Sequence, residues 1–519
     1  MRSALLALVV CTALHAGVAA AAPSPFEMDT WPSAANGVDT RVLAALQRQG
    51  LEPAAPCSDG VFIRRVYLDV IGALPEPAAV LAFLADTRPD KRARLIDELL
   101  ARPEFAEYWT LKWCDLLRVK AEFPINLWPN AVQAYERWIH EAVRTNVPYD
   151  QFARALLTSS GSNFRVPPVN FYRALQSREP QGLAEAVALT LMGVRLASWP
   201  AARRDGLAAF FSRVAFKGTD EWKEEIVCLD PAPAGPLAAV FPDGTTVAIP
   251  AGDDPRVAFA EWLLTPGNPW FARSIANRVW AWLLGRGIIH EPDDIRPDNP
   301  PVNPELLSYL EQELVGAKYD LQHLFRLILN SRTYQQSPLP RAARRDAEAC
   351  FACYPVRRLD AEVLIDALVG VGGSRERYES RIPEPFTWIP EEQRTIALAD
   401  GSITSTFLQM FGRPPRDTGL ESERTTNSTD AQRLFMLNST DVYKRLAGSL
   451  RLRRVALAAG GDRTQAIRGV YMALLAREPL ATELAAADAY WQDPRSEGDQ
   501  GLTDLAWALV NSMEFLYRH

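Results

Sequence analysis

The chain has 519 residues, 48% hydrophobic and 23% charged, a balance that suits two to four globular domains and excludes collagen-like, broadly disordered and multi-span membrane architectures. A net charge of -7 argues against a surface that coats nucleic acid, so no nucleic-acid partner is expected. Six cysteines (positions 11, 57, 114, 228, 350 and 353) are too few for a disulfide-built scaffold, and five scattered histidines argue against a histidine-rich metal site.

In chain order, the first feature is a targeting segment. Met1 and Arg2 form a positive start, residues 4–14 an apolar run, and small residues follow up to Ala22; the pattern predicts a signal peptide over 1–22. Cys11 falls within the apolar run behind Val10 and is read as part of that peptide. The run is too short for a stable anchor, and no later segment reaches the roughly 18 apolar residues of a spanning helix. The expected protein is therefore exported, periplasmic or at the cell surface or outside it, and not integral to a membrane. Residues 23–37, rich in Pro, Ser, Ala and Gly, read as a tether.

From residue 38 to 221 the pattern is helical. Leu95, Ile96, Leu99 and Leu100 recur at helical spacing, as do Val132, Tyr135, Ile139 and Val143. Asp150 is the expected cap of the next helix and Gly161 the stop beyond it. Tryptophans such as Trp109, Trp113, Trp128 and Trp138 sit among these helices and are expected in the core. Residues 222–256 change character: KEEIVCLDP reads as a strand, and AAVFPDGTTVAIP as a hairpin turning at Pro242-Asp243-Gly244. From 257 to 519 helices return. Asn303 is the expected cap with Pro304 in first position, and the helix of RRLDAEVLIDALVGVGG ends in glycines. Residues 373–426 read as a long irregular excursion. The expected fold is mainly α, a multi-helical two-domain protein with a small β-hairpin element between the domains. A weak echo links the block from Ile63 to the block from Ile467, and residues 95–108 to 505–518, as though one helical unit were used twice.

These residues also carry a resemblance. FIRRVYLDVIGALPEP with the helices that follow it, and NVPYDQFARALL with SNFRVPPVNFYRA, look like the cytochrome-c-associated domain of planctomycete-type secreted proteins. NRVWAWLLGRGII, DDIRPDNPPVNPELLSYL, YDLQHLFRLILNSRTYQQS, FGRPPRD and DLAWALVNSMEFLYRH resemble the planctomycete-specific domain that usually follows. The resemblance implies two domains of unknown function in an exported protein that often accompanies haem-binding domains. Relatives of the first domain carry a Cys-x-x-Cys-His segment where this chain reads GVRLASWPAARRDGLAAFF (193–211), with no Cys and no His. Covalent c-type haem needs two thiols and an axial His, so no such haem, and no other cofactor, is expected.

Four sets of residues could carry chemistry. Cys350 and Cys353, the one Cys-x-x-Cys, suggest a local disulfide or two buried thiols. Asp293, Asp294 and Asp298 could offer hard oxygen ligands to Ca²⁺, or cap backbone N–H groups in a Pro-rigid loop. Arg413, Arg416 and Arg424 could grip an anionic glycan, or form interdomain ion pairs. Asn163, Arg165 and Asn170, beside Phe164, Phe171 and Tyr172, could line a sugar cleft or form a loop packed by aromatics. The basic residues are 7 Lys and 49 Arg; guanidinium favours bidentate anion recognition, while a GC-rich genome produces the same bias. No nucleophile elbow, zinc-protease, P-loop or dinucleotide motif is present. The leading expectation is a non-catalytic binding or assembly protein, partnered by an anionic glycan or another exported protein. The alternatives are an enzyme on an extracellular polysaccharide or other anionic polymer, using 163–172, 290–299 and 411–424 in one cleft, and a partner of a redox system without its own haem.

Overall fold

A computed structural model describes residues 24–519 other than 233–234, 342–343, 345 and 494–498; the expected signal peptide lies outside the described residues. The fold is mainly α with small sheets. Counting helices of eight residues or more, the N-terminal part contains α1 (Gly37–Gln49), α2 (Asp59–Val70), α3 (Pro77–Ala85), α4 (Lys91–Leu100), α5 (Pro103–Leu116), α6 (Pro129–Arg144), α7 (Tyr149–Thr158), α8 (Pro180–Val187) and α9 (Ala201–Ala208). Asn36 starts α1: its side chain accepts from the N–H groups of Val38 and Asp39, while the Asp39 carboxylate accepts from the Asn36 N–H, a reciprocal cap. Asp150 does not cap α7. The helix already begins at Tyr149, which leaves Asp150 in the first turn, where its charge still faces the positive helix end.

The strands within residues 214–249 lie between the helical parts, and the short strand Gly161–Ser162 joins them from within the first. Strand β1 (Gly161–Ser162), β2 (Val214–Gly218) and β3 (Glu225–Leu229) form one antiparallel sheet in the order β1-β3-β2, with Gly161 opposite Val227 and Val214 opposite Leu229. The expected hairpin is present as β4 (Leu237–Val240) and β5 (Thr246–Ile249). Gly244 takes φ +92 in its turn, a conformation that costs a residue without Cβ nothing.

The second helical part runs through α10 (Pro255–Leu263), α11 (Phe271–Leu284), α12 (Pro304–Gly316), α13 (Leu321–Leu329), α14 (Ala361–Gly372), α15 (Asp430–Asn438), α16 (Thr440–Ala447), α17 (Leu450–Ala459), α18 (Arg463–Leu475), α19 (Ala481–Trp491) and α20 (Asp499–Val510). Asn303 caps α12 by accepting from the Leu306 N–H, with Pro304 in first position. Gly373, at φ 68, ends α14. Between α14 and α15 the chain is irregular apart from single turns and the five-residue helix Thr406–Met410.

Segment 24–36, expected as a tether, is laid on the body instead. Met28 N–H donates to Pro56 O, Arg332 donates to Ser33 O, and the Phe26 ring meets that of His519 at 5.9 Å. Phe26 gives this Pro-rich stretch an apolar anchor, which burial retains.

One contiguous apolar core runs from Val38 to Phe515 through both helical parts. The echoed blocks both contribute to it. In each, two helices pack together (α2 with α4, α18 with α20), and Ile63 and Ile467 are fully buried. The two ends of the chain are also stitched. Arg64 donates to Phe515 O at 2.8 Å, and Arg65 to His519 O at 2.8 Å. Strand β6 (Arg357–Arg358) pairs with β7 (Tyr517–Arg518). No helix among the described residues is long and apolar enough to cross a membrane.

Candidate functional site

The loop carrying Arg413, Arg416 and Arg424 does not face solvent. It is folded inward against α5 and α14, and all three guanidinium side chains are buried. The Arg424 guanidinium makes a two-pronged pair with Glu362 (2.6 and 3.0 Å) and also reaches Asp115 at 2.6 Å. Arg416 reaches the other Asp115 oxygen at 2.8 Å and donates to Ala399 O and Val119 O. Arg413 lies 3.4 Å from Glu362 and donates to the carbonyls of Asp400 and Ile403. These arginines join α5 of the first part to α14 of the second, so the ion-pair reading is the one realised and an external anion has no access to them. Burial lowers the Arg413 pKa to about 10, while carboxylate neighbours raise those of Arg416 and Arg424 against the same penalty.

A second layer of the same cluster surrounds Asp360 and Asp69. Asp360 accepts from Lys112, Tyr108 and Arg518 at 3.0–3.2 Å. Asp69, on α2, accepts from the hydroxyls of Tyr334 and Tyr354 at 2.8 Å and pairs with Arg357 and Arg518 at 3.0 Å. None of these carboxylates was singled out in the sequence, because each partner lies tens to hundreds of residues from the arginine it neutralises.

The acidic loop 290–299 meets the arginine loop, but as packing. Asp293 is fully buried, pairs with Arg278 at 2.7 Å and accepts from the Glu421 N–H at 2.6 Å. Asp294 and Asp298 lie beside Arg296 instead (3.2 and 3.5 Å). The three carboxylates are thus shared out between two arginines rather than converged on one Ca²⁺ position. Among the described residues no group of three or more His, Cys, Asp or Glu is placed to hold a metal ion. Cys350 and Cys353, considered as a disulfide, are free thiols. Phe351 between them takes φ 61 and lodges against Trp280 at 5.1 Å, a turn that buries Cys353 and leaves Cys350 part-exposed. In the interval 193–211, residues 196–198 form a single tight turn, and Arg203 stacks 3.7 Å over Trp199.

The segment with Asn163, Arg165 and Asn170 does different work. Asn163 and Asn170 are fully buried. The Asn163 side chain donates to Lys223 O and accepts from the Glu225 N–H. Asn170 donates to Asn163 O. Arg165 is exposed and pairs with Glu221 at 3.1 Å. Together they fasten the turn 219–225, which holds Trp222 and Lys223 out in solvent. Trp128, expected in the core, stands outside its helix at φ 70 and part-exposed. Its ring lies 6.2 Å from Trp222 and 5.5 Å from Phe386. Lys223 Nζ sits 4.8 Å from the Trp128 ring centre and 5.3 Å from that of Trp222. The sequence signal for this cluster was available: Trp222 sits in TDEWKEE, a polar turn where helical spacing cannot bury it.

Two further cavities flank residues 391–398. One, of about 430 Å³, is lined by Tyr67, Arg102, Glu104, Asp366, Tyr378 and Arg394 among others. The Asp366 carboxylate accepts from the N–H groups of Thr395 and Ile396, so it serves the turn. The other, of about 250 Å³, is lined by Glu107, Thr110, Cys114, Glu136 and His140 among others. Burial raises the Glu136 pKa to about 7, against the opposing pull of Arg416 and Arg137. Between the unfolded value near 4.5 and 7, the folded chain holds a proton that the unfolded chain has lost. Stability should therefore be full below pH 4.5 and fall as pH rises through 7. For this part-exposed group the loss should be about 2 kcal/mol. Urea titrations at pH 5 and pH 8 should show that fall in the natural chain and a flatter profile in Glu136→Gln; parallel profiles would contradict it.

Two family models match the chain. PSCyt2, a protein of unknown function (DUF1549), matches residues 37–191, and PSD1, a protein of unknown function (DUF1553), matches residues 255–491. No curated protein and no solved structure matches it. Strands β2 to β5 fall between the two matches, and the buried arginine cluster joins Asp115 of the first to Glu362 and Arg424 of the second. The chain carries the planctomycete-type domain pair, PSCyt2 followed by PSD1.

Proposed function

We propose that this is an exported binding or assembly protein of the periplasm or cell surface, with no catalysis of its own. The observation that carries the reading is the contrast between its two polar regions. The arginine loop is neutralised by Asp115 and Glu362 inside the molecule, and the acidic loop is neutralised by Arg278 and Arg296, whereas the Asn163 segment is spent on presenting aromatic rings to solvent. Rings on well-fastened loops favour recognition, since little side-chain freedom is lost on contact. The segments 290–299 and 411–424 meet at Asp293 and Glu421 in a packed interface, and the polar partners of Asn163 and Asn170 lie elsewhere, so the three do not open on one cleft.

The test has two arms. Expressed with residues 1–22 in a Gram-negative host, the chain should be found in the periplasm, cleaved after Ala20, Ala21 or Ala22. Incubated with neutral and acidic polysaccharides, the mature chain should release no reducing ends. An uncleaved cytoplasmic product would overturn the export reading, and steady release of reducing ends would establish the enzyme alternative.

A further inference from the structure

We infer that the rings around Trp128 and Trp222 form a binding face for an uncharged polysaccharide. The inference rests on the binding reading above and names its ligand. Three segments distant in sequence contribute: 122–128, 219–224 and 383–388. Trp222 is 65% exposed and Phe386 48%, and both rings meet part-exposed Trp128, on a protein whose other tryptophans include Trp280, fully enclosed. An exposed apolar cluster of this kind marks an interaction surface.

The backbone beneath it is held in an uncommon shape. Asn126, Trp128 and Lys223 all take left-handed conformations, at φ 59, 70 and 61, which cost energy in residues with a Cβ and persist where the surroundings enforce them. Here they are enforced. The N–H groups of Leu127 and Trp128 donate back to Lys120 O and Ala121 O. Ala121 N–H donates to the buried Asp400, and Asn163 grips the Lys223 carbonyl. The strain aims rings outward, where folding alone gains nothing from them.

The charges decide between ligands. A protein partner would want the centre of the patch free of lysine and glutamate, yet the Lys223 ammonium lies against both tryptophan rings. A polyanion would want a positive rim, yet exposed Arg165, Lys223 and Arg381 are matched by exposed Asp220, Glu221 and Glu384, and the net charge of -7 repels it. Sugar rings suit what is there. Their C–H faces stack on aromatic faces, and their hydroxyls can donate to carboxylates and accept from guanidinium and ammonium groups. Trp222 and Phe386 stand at 83° and 59° to Trp128, so the rings look in different directions, as the units of a twisted chain do.

Native gels cast with hydroxyethylcellulose or galactomannan, and with alginate or dextran sulfate, test this on the mature chain. At least one neutral polymer should retard it, with little change in 0.5 M NaCl. Trp222→Ala and Phe386→Ala should each weaken retardation about tenfold or more while leaving the melting temperature unchanged, as exposed sites do. Retardation by the acidic polymers alone, abolished by salt, would overturn the ligand class and leave the binding reading intact. Retardation untouched by both substitutions would overturn the location. If no polymer retards the chain, the inference fails. An exported protein captured by the natural chain and not by Trp222→Ala would then still uphold the binding reading, and capture by neither would sink both.

Discussion

Replacing Arg424 by alanine should lower the unfolding free energy at pH 7 by about 3–5 kcal/mol, because it strands buried carboxylates whose charge it now neutralises. Its guanidinium is 7% exposed and touches Glu362 and Asp115, and Asp360 lies 3.7 Å away. Burial opposes ionisation of all three carboxylates. Arg424 is the main force lowering the Asp115 and Glu362 pKa values, and joins Lys112 and Arg518 in holding Asp360 low. The sign of the pH effect follows. In the natural chain these groups contribute stability above the unfolded carboxylate range, about pH 4, and lose it as pH falls through their lower folded values. Without Arg424, burial dominates and protonation relieves the strain. The gap between variant and natural chain should therefore be widest near neutrality and narrow below about pH 4. Arg424→Lys should recover only part of the loss, since an ammonium cannot make the two-pronged contact. Urea unfolding at pH 7 and pH 3.5 reads all of this. A loss below about 1 kcal/mol, typical of exposed pairs, or a gap independent of pH, would show that the cluster does not hold the two domains together.

Asp69→Ala should cost a similar amount, about 3–5 kcal/mol, by a different route. Asp69 is fully buried and serves four donors: two tyrosine hydroxyls and the guanidinium groups of Arg357 and Arg518. Removing it leaves the Arg357 charge and two hydroxyls without their carboxylate at once, while Arg518 keeps Asp360. Asp69→Asn keeps one acceptor and should fall between. Because Arg518 shares the site, the double variant Asp69→Ala with Arg518→Ala should be less damaged than the sum of its parts, with a coupling of roughly 0.5–3 kcal/mol. Additive losses in thermal or urea unfolding would separate the two residues and contradict the geometry.

Several local signals are legible in the sequence. The Asn303–Pro304 start of α12, the glycine end of α14 and the Pro242-Asp243-Gly244 hairpin each depend on neighbours within a few residues, and each is where the pattern puts it. Non-local matters were not legible. Arg413, Arg416 and Arg424 are conspicuous in the chain, but whether guanidinium groups point at a ligand or at Asp115 and Glu362 depends on a fold that brings positions 300 residues apart into contact. The 49 arginines include several buried ones, such as Arg358 and Arg413, that spend their donors on backbone carbonyls, a use that lysine's compact ammonium serves less well. Segment 162–172 was noticed for the right residue types, and the structure makes it the support of the exposed rings rather than their equal. The exposure of Trp128 is not legible, because helical spacing continues across it while Pro129 starts the helix one residue later.

The stitching of Arg64 and Arg65 to carbonyls of 515–519 also bears on the order of events during synthesis. These contacts span about 450 positions, and Asp69 waits for Arg518 over the same distance. Domains ordinarily close in the order in which they leave the ribosome. Here the first helical unit emerges with guanidinium groups and a carboxylate whose full set of partners comes only with residues 515–519, so its final packing waits for them. For a chain exported as proposed above, a first unit that closes only on residues 515–518 would suit threading across a membrane.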